Sequence, residues 1–101
     1  MARPVSLNDK RRLLEQFKRS RGNKKIRDLE DIAETFGCTS KINEKHENET
    51  FVPPYKHINV VVVAIPHSNN DVLKKYVSMF VHMLEDVLDY ETSKGGGGLY
   101  D

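Results

Sequence analysis

The feature that most constrains this chain is the run at residues 57–67, HINVVVVAIPH. Four consecutive valines, flanked by Ile58 and Ile65, have poor helix propensity and high strand propensity. A branched Cβ restricts χ1 and packs well on a pleated surface. The run is far too short to cross a bilayer, which needs roughly 20 apolar residues as a helix. Pro66 bounds it, and proline cannot donate to a sheet ladder. A half-exposed strand alternates apolar and polar residues, whereas this one is apolar on both faces. It therefore reads as the central strand of a small sheet, buried on both sides or covered by a partner.

The 101 residues are enough for one domain with a modest core, and 31% charged with 38% hydrophobic residues is a globular composition. The single Cys38 allows no internal disulfide and reads as a small buried apolar residue. With no signal-peptide or membrane-spanning pattern, a reducing cytoplasm is the expected compartment. The net charge of +1 hides an asymmetry. Residues 1–25 hold nine Lys/Arg against two acidic side chains, and the remainder holds seven against thirteen. A basic end of this kind is an electrostatic footprint for nucleic acid, or else a solvated helix face.

Taken in order, Ser6 and Asp9 read as a hydroxyl N-cap and a carboxylate in the first turn of a helix. Leu7, Leu14 and Phe17 give it a narrow apolar stripe, which predicts docking on the domain edge, and Gly22-Asn23 ends it. A second helix is predicted over 26–36, with Ile26, Leu29, Ala33 and Phe36 on one face and Gly37 just past its end. Weak alternation at 38–43 and the β-favouring Thr50-Phe51-Val52 predict two antiparallel strands joined by a polar turn within 43–48. Pro53-Pro54 leads into the valine strand. The last helix is predicted over 72–90, with a broad apolar stripe that includes Phe80, Met83 and Val87. The Gly-rich residues 93–101 read as a flexible tail.

The predicted fold is therefore α+β, a two-layer α-β-β-β-α domain with a three-stranded antiparallel sheet over residues 24–92. An extra basic helix over residues 1–23 precedes it. This order is that of the double-stranded-RNA-binding fold.

Residues 29–88 resemble the HicA family of mRNA interferase toxins. The resemblance rests on a helix ending at Gly37, a single His46 before Glu49-Thr50-Phe51-Val52-Pro53, and the valine strand. Pro66-His67-Ser68 and the helix opening Leu73-Lys74-Lys75-Tyr76 complete it. It covers about three fifths of the chain, and its motifs are short. It implies a ribonuclease of a type II toxin–antitoxin pair, inhibited by a protein antitoxin and cutting mRNA with His46. The family usually places glycine, or Gly-Ser, directly before that histidine, and this chain has Glu44-Lys45 instead.

The residues themselves leave few other chemistries. There is no cysteine pair for zinc, no Gly-rich phosphate loop, no Gly-x-Ser-x-Gly and no His-Glu-x-x-His, so neither a metal nor a cofactor is expected. Of the four histidines, His82 falls within the last helix between Met79 and Met83, read as core positions, and His57 opens the valine strand. His67 stands at a strand-to-helix corner, where capping is its natural role. His46, on a turn beside Lys45 and Glu47, is the best acid–base candidate, since imidazole titrates near neutrality. RNA brings its own nucleophile, the 2′-OH, and needs a proton acceptor and a cation to steady the phosphate. Lys41, Lys45, Lys74 and Lys75 are the candidates for that charge, with Arg11, Arg12, Lys18 and Arg19 of the first helix as further RNA contacts. Glu44, Glu47 and Glu49 count against the site, because carboxylates repel phosphate. The second reading is a non-catalytic member of the same fold that binds RNA or a protein. In either case the outer face of the valine strand is expected to meet an antitoxin or a second copy in a homodimer.

Overall fold

A computed structural model describes residues 6–96. Ser6 caps α1 (Leu7–Lys18), its hydroxyl accepting the Asp9 N–H at 3.1 Å, and a short 3-10 turn at Arg21–Asn23 follows. In α2 (Ile26–Thr35) the Asp28 carboxylate accepts the Lys25 N–H at 2.8 Å, next to the positive end of the helix dipole. Gly37 ends it with φ +82°, while Gly37 and Cys38 donate to the carbonyls of Glu34 and Ala33. The strands are β1 (Thr39–Asn43), β2 (Asn48–Val52) and β3 (Val61–Ala64), and α3 (Lys74–Glu91) closes the domain. The fold is thus α+β, with the helix–strand–strand–strand–helix order preceded by one more helix.

The sheet is antiparallel in the order β1-β2-β3. Glu49 stands opposite Val63, and Phe51 opposite Val61. Two expectations are corrected here. The valine run forms an edge strand, with β2 central, and only four of its residues are in the sheet. Of the two alternatives for its apolar faces, burial on both sides does not hold: Val61 and Val63 are buried against the helices, while Val60 and Val62 stand about half exposed, on a face left open to a partner. A two-sided apolar pattern records that both faces avoid charge; whether the protein's own chain covers both is a separate matter.

One core cluster runs through the domain. Leu29, Ile32, Ala33 and Phe36 of α2, Phe51, Val61 and Val63 of the sheet, and Val77, Phe80, Val81, Leu84 and Val87 of α3 meet in it. Each fully buried side chain of this kind contributes about 1.5–3 kcal/mol. Met79 lies outside it, half exposed, which corrects its reading as a core position. The first helix is also more than an edge ornament. Leu14 and Phe17 belong to the core, and the Phe17 ring meets Phe80 with centroids 5.9 Å apart. Ion pairs reinforce that docking, Lys10 to Glu91 at 2.9 Å and Lys18 to Glu85 at 3.0 Å. Glu91 also accepts the Tyr55 hydroxyl at 2.5 Å, which ties the segment after Pro53-Pro54 to the end of α3.

Cys38 is buried as expected, and that burial pushes its thiol pKa up to about 11. The start of the tail, Thr92–Gly96, continues α3 as a π-helical turn, and the rest of it lies outside the described residues. Among the described residues, no helix is long and apolar enough to cross a membrane.

Candidate functional site

The hairpin joining β1 and β2 closes on Asn43 opposite Asn48, so residues 44–47 form its tip. The Asn43 side chain accepts the His46 N–H at 3.2 Å, and the Glu47 N–H donates to the Glu44 carbonyl at 3.3 Å. These local bonds hold the turn and leave the exposed His46 imidazole with no hydrogen-bond or ion-pair partner among the described residues. Glu47 adopts φ +53°, so the left-handed residue of the turn follows the histidine. That conformation costs an L-residue about 1–2 kcal/mol. Glu47→Gly should therefore melt no lower than the native chain, and up to about 1 kcal/mol more stably. A β-branched Glu47→Ile should lose more than about 1 kcal/mol in the same thermal unfolding experiment.

The segment after β3 comes to the same place. The Ile65 N–H donates to the Glu47 carbonyl at 2.9 Å, and His67 Nε2 lies 3.3 Å from Glu47 Oε1. Both side chains are largely exposed. His67 therefore reaches the hairpin tip through the carboxylate of Glu47, the residue next to His46. Sequence reading placed His67 in a capping role and missed this pairing, because the contact depends on β3 returning beside the hairpin tip.

The basic candidates divide into two groups. Lys45 is on the turn itself, and Lys41 is exposed on β1 opposite Thr50. Lys74 and Lys75 open α3, and the first turn of that helix holds no acidic residue. The Lys74 stem packs close to Gly22, with Cε 2.9 Å from where a Cβ on that glycine would stand. Lys75 Nζ lies 5.1 Å from the centre of the Tyr76 ring. Arg11, Arg12, Lys18 and Arg19 form no single patch with them. Arg11 donates to Thr92 at 2.7 Å, beyond the far end of α3. At 1.5 Å per residue, that is about 27 Å along the axis from Lys74. Lys18 is committed to Glu85, and Arg12 is exposed 3.7 Å from Asp9. Arg19 is exposed at the end of α1.

The strongest electrostatic feature was read wrongly from sequence. Glu49, grouped there with the exposed carboxylates around His46, points into the core and is 1% exposed. Its Oε1 has no hydrogen-bond partner among the described residues. Burial, helped by a hydrogen bond with Glu30 of α2 and opposed by one with Ser40 on β1, pushes its pKa up to about 7. The signal was present: Glu49 lies two residues before Phe51 and so shares its face of β2. Among the described residues, no group of three His, Cys, Asp or Glu side chains is placed to hold a metal.

No protein-family model, curated protein or solved structure matches the chain.

Proposed function

We propose that this protein is a HicA-like endoribonuclease that cleaves RNA by attack of the substrate's own 2′-OH, and that a protein antitoxin holds it in check. The observation that carries the reading is the pair of imidazoles at the hairpin end, His46 unpartnered and His67 held by Glu47. His46 takes the proton from the 2′-OH as O2′ bonds to phosphorus. The P–O5′ bond breaks, and the departing 5′-oxygen takes a proton from the imidazolium of His67. The products are a 2′,3′-cyclic phosphate and a free 5′-hydroxyl. Lys45 and Lys41 face the charge that builds on the phosphate, and the positive end of α3 with Lys74 adds to the field around it.

The open face of the sheet, where Val52 and Val62 stand exposed beside Thr50 and Lys41, is the surface offered to RNA or the antitoxin. The second reading, a non-catalytic RNA-binding module, is favoured by Glu44 and Glu47 beside the histidine, since both repel phosphate. Product analysis separates the two. Incubation with RNA in the presence of EDTA should yield fragments ending in 2′,3′-cyclic phosphate, with a matched DNA left whole for lack of the internal nucleophile. Equal cutting of both polymers would rule out this chemistry, and binding without cutting would establish the module.

A further inference from the structure

The two edges of the sheet differ. β1 is guarded: its sequence, TSKIN, is mostly polar and carries Lys41. β3 is not, for residues 58–66 contain no charged side chain. Exposed edges are normally blunted by charge, proline or a bulge, because their free N–H and C=O groups invite pairing.

The ladder shows which groups are free. The Ile65 N–H bonds to the Glu47 carbonyl, which makes 47/65 a hydrogen-bonded pair. In an antiparallel ladder every second pair is of that kind, so Glu49/Val63 and Phe51/Val61 follow it. The backbone groups of Val62 and Ala64 therefore point away from β2, toward solvent. Beside this edge runs a groove of about 800 Å³ between residues 57–61 and the outer side of α3. Val60, Val61, Met79 and Met83 form its apolar wall, and Asp86 and Asp89 its rim. Val60 is 50% and Met79 49% exposed, which is unusual for side chains with a core available beneath them. Elsewhere on α3 the carboxylates are engaged, Glu85 by Lys18 and Glu91 by Lys10. Asp86 and Asp89 have no ion-pair partner among the described residues and are exposed.

We propose that the free edge of β3 and the adjoining groove form a docking site for an extended segment of a partner protein in which apolar and basic residues alternate. The segment adds a fourth strand through Val62 and Ala64, lays its apolar side chains beside the exposed Val62 on the open face, and turns its cations to the helix side, where Asp86 and Asp89 line the groove. A second copy of this chain fits less well. Its own β3 carries no cation, and pairing β3 with β3 would bring two acidic rims together. RNA is repelled by the same carboxylates. The proposal does not depend on cleavage by His46.

The test is an NMR titration of the full chain with a short amidated peptide alternating valine and lysine. The Val62 and Ala64 amides should become protected from solvent exchange. The double variant Asp86→Asn with Asp89→Asn, at exposed positions and with its fold checked by the unchanged remainder of the spectrum, should bind about tenfold more weakly. The same peptide N-methylated along its pairing edge should not bind. Equal binding of the methylated peptide, or of a valine–glutamate peptide, would overturn the proposal. So would a chain that is already dimeric, with those two amides protected before any peptide is added, which would assign the edge to a second copy.

Discussion

Replacing His46 with alanine should slow RNA cleavage by about 10²- to 10⁴-fold, the usual worth of a positioned proton-transfer group. The fold should not notice. The imidazole is exposed and makes no hydrogen bond or ion pair among the described residues, and the bond that shapes the turn runs from its backbone N–H to Asn43, which alanine keeps. Circular dichroism and the melting temperature should match the native chain, and RNA affinity should hold because the lysines remain. His67→Ala is the informative companion. If His67 protonates the leaving oxygen, its loss should be rescued on a substrate whose leaving group needs no proton, such as a nitrophenyl ester of a nucleotide 3′-phosphate, whereas loss of His46 should not be. Full activity in His46→Ala would falsify the assignment and move the search to His67 or to a contaminating nuclease.

Much of the fold was legible because local signals agreed with one another. Ser6 and Asp9 mark the start of α1, Gly37 marks the end of α2, and the polar tetrad 44–47 falls between two β-favouring runs. The failures share one physical cause. Periodicity reports which residues avoid water, and says nothing about which element does the covering. The valine run thus reads as a central strand, although the order of the sheet leaves it at an edge with Val62 uncovered. The narrow stripe of α1 was read as edge docking, although Leu14 and Phe17 enter the core against α3. Charge behaved the same way. The basic run over residues 1–25 is continuous in sequence, but in space Lys10 and Lys18 are consumed by Glu91 and Glu85. The candidate site was half legible: His46 stands out as a histidine on a turn, whereas the approach of His67 to Glu47 is a product of strand pairing that no local pattern encodes. Glu49 was the avoidable error, since counting by two from Phe51 places it in the core.

That glutamate carries the largest expected effect on stability. At pH 8 its carboxylate is ionised in a site that offers Oε1 no donor and sets Glu30 beside it. The folded pKa of about 7 lies above the ordinary value of 4.5. Between those two values the folded chain holds a proton that the unfolded chain has released. The stability that Glu49 contributes should therefore be full below about pH 4.5, fall as the pH rises toward 7, and level off above it. At 1.36 kcal/mol per pH unit, the loss across that window is on the order of 3 kcal/mol, a large share of the stability of a small domain. Glu49→Gln keeps the shape, carries no charge, and can donate its amide to Glu30. It should equal the native chain at pH 5 and exceed it by about 1–3 kcal/mol at pH 8 in urea unfolding. The comparison between variant and native chain isolates Glu49, because every group the two share cancels in the difference. Glu85, whose pKa is lowered chiefly by its hydrogen bond with Lys18, loses its stabilising charge only at lower pH and does not interfere. A native chain equally stable at pH 5 and pH 8, or a Glu49→Gln variant weakened at pH 8, would show that the buried carboxylate has found a donor. If the effect holds, it bears on the hairpin directly: Glu49 pairs with Ile42 across β1 and β2, whose turn carries His46, so neutralising it should also slow amide exchange in that hairpin at pH 8.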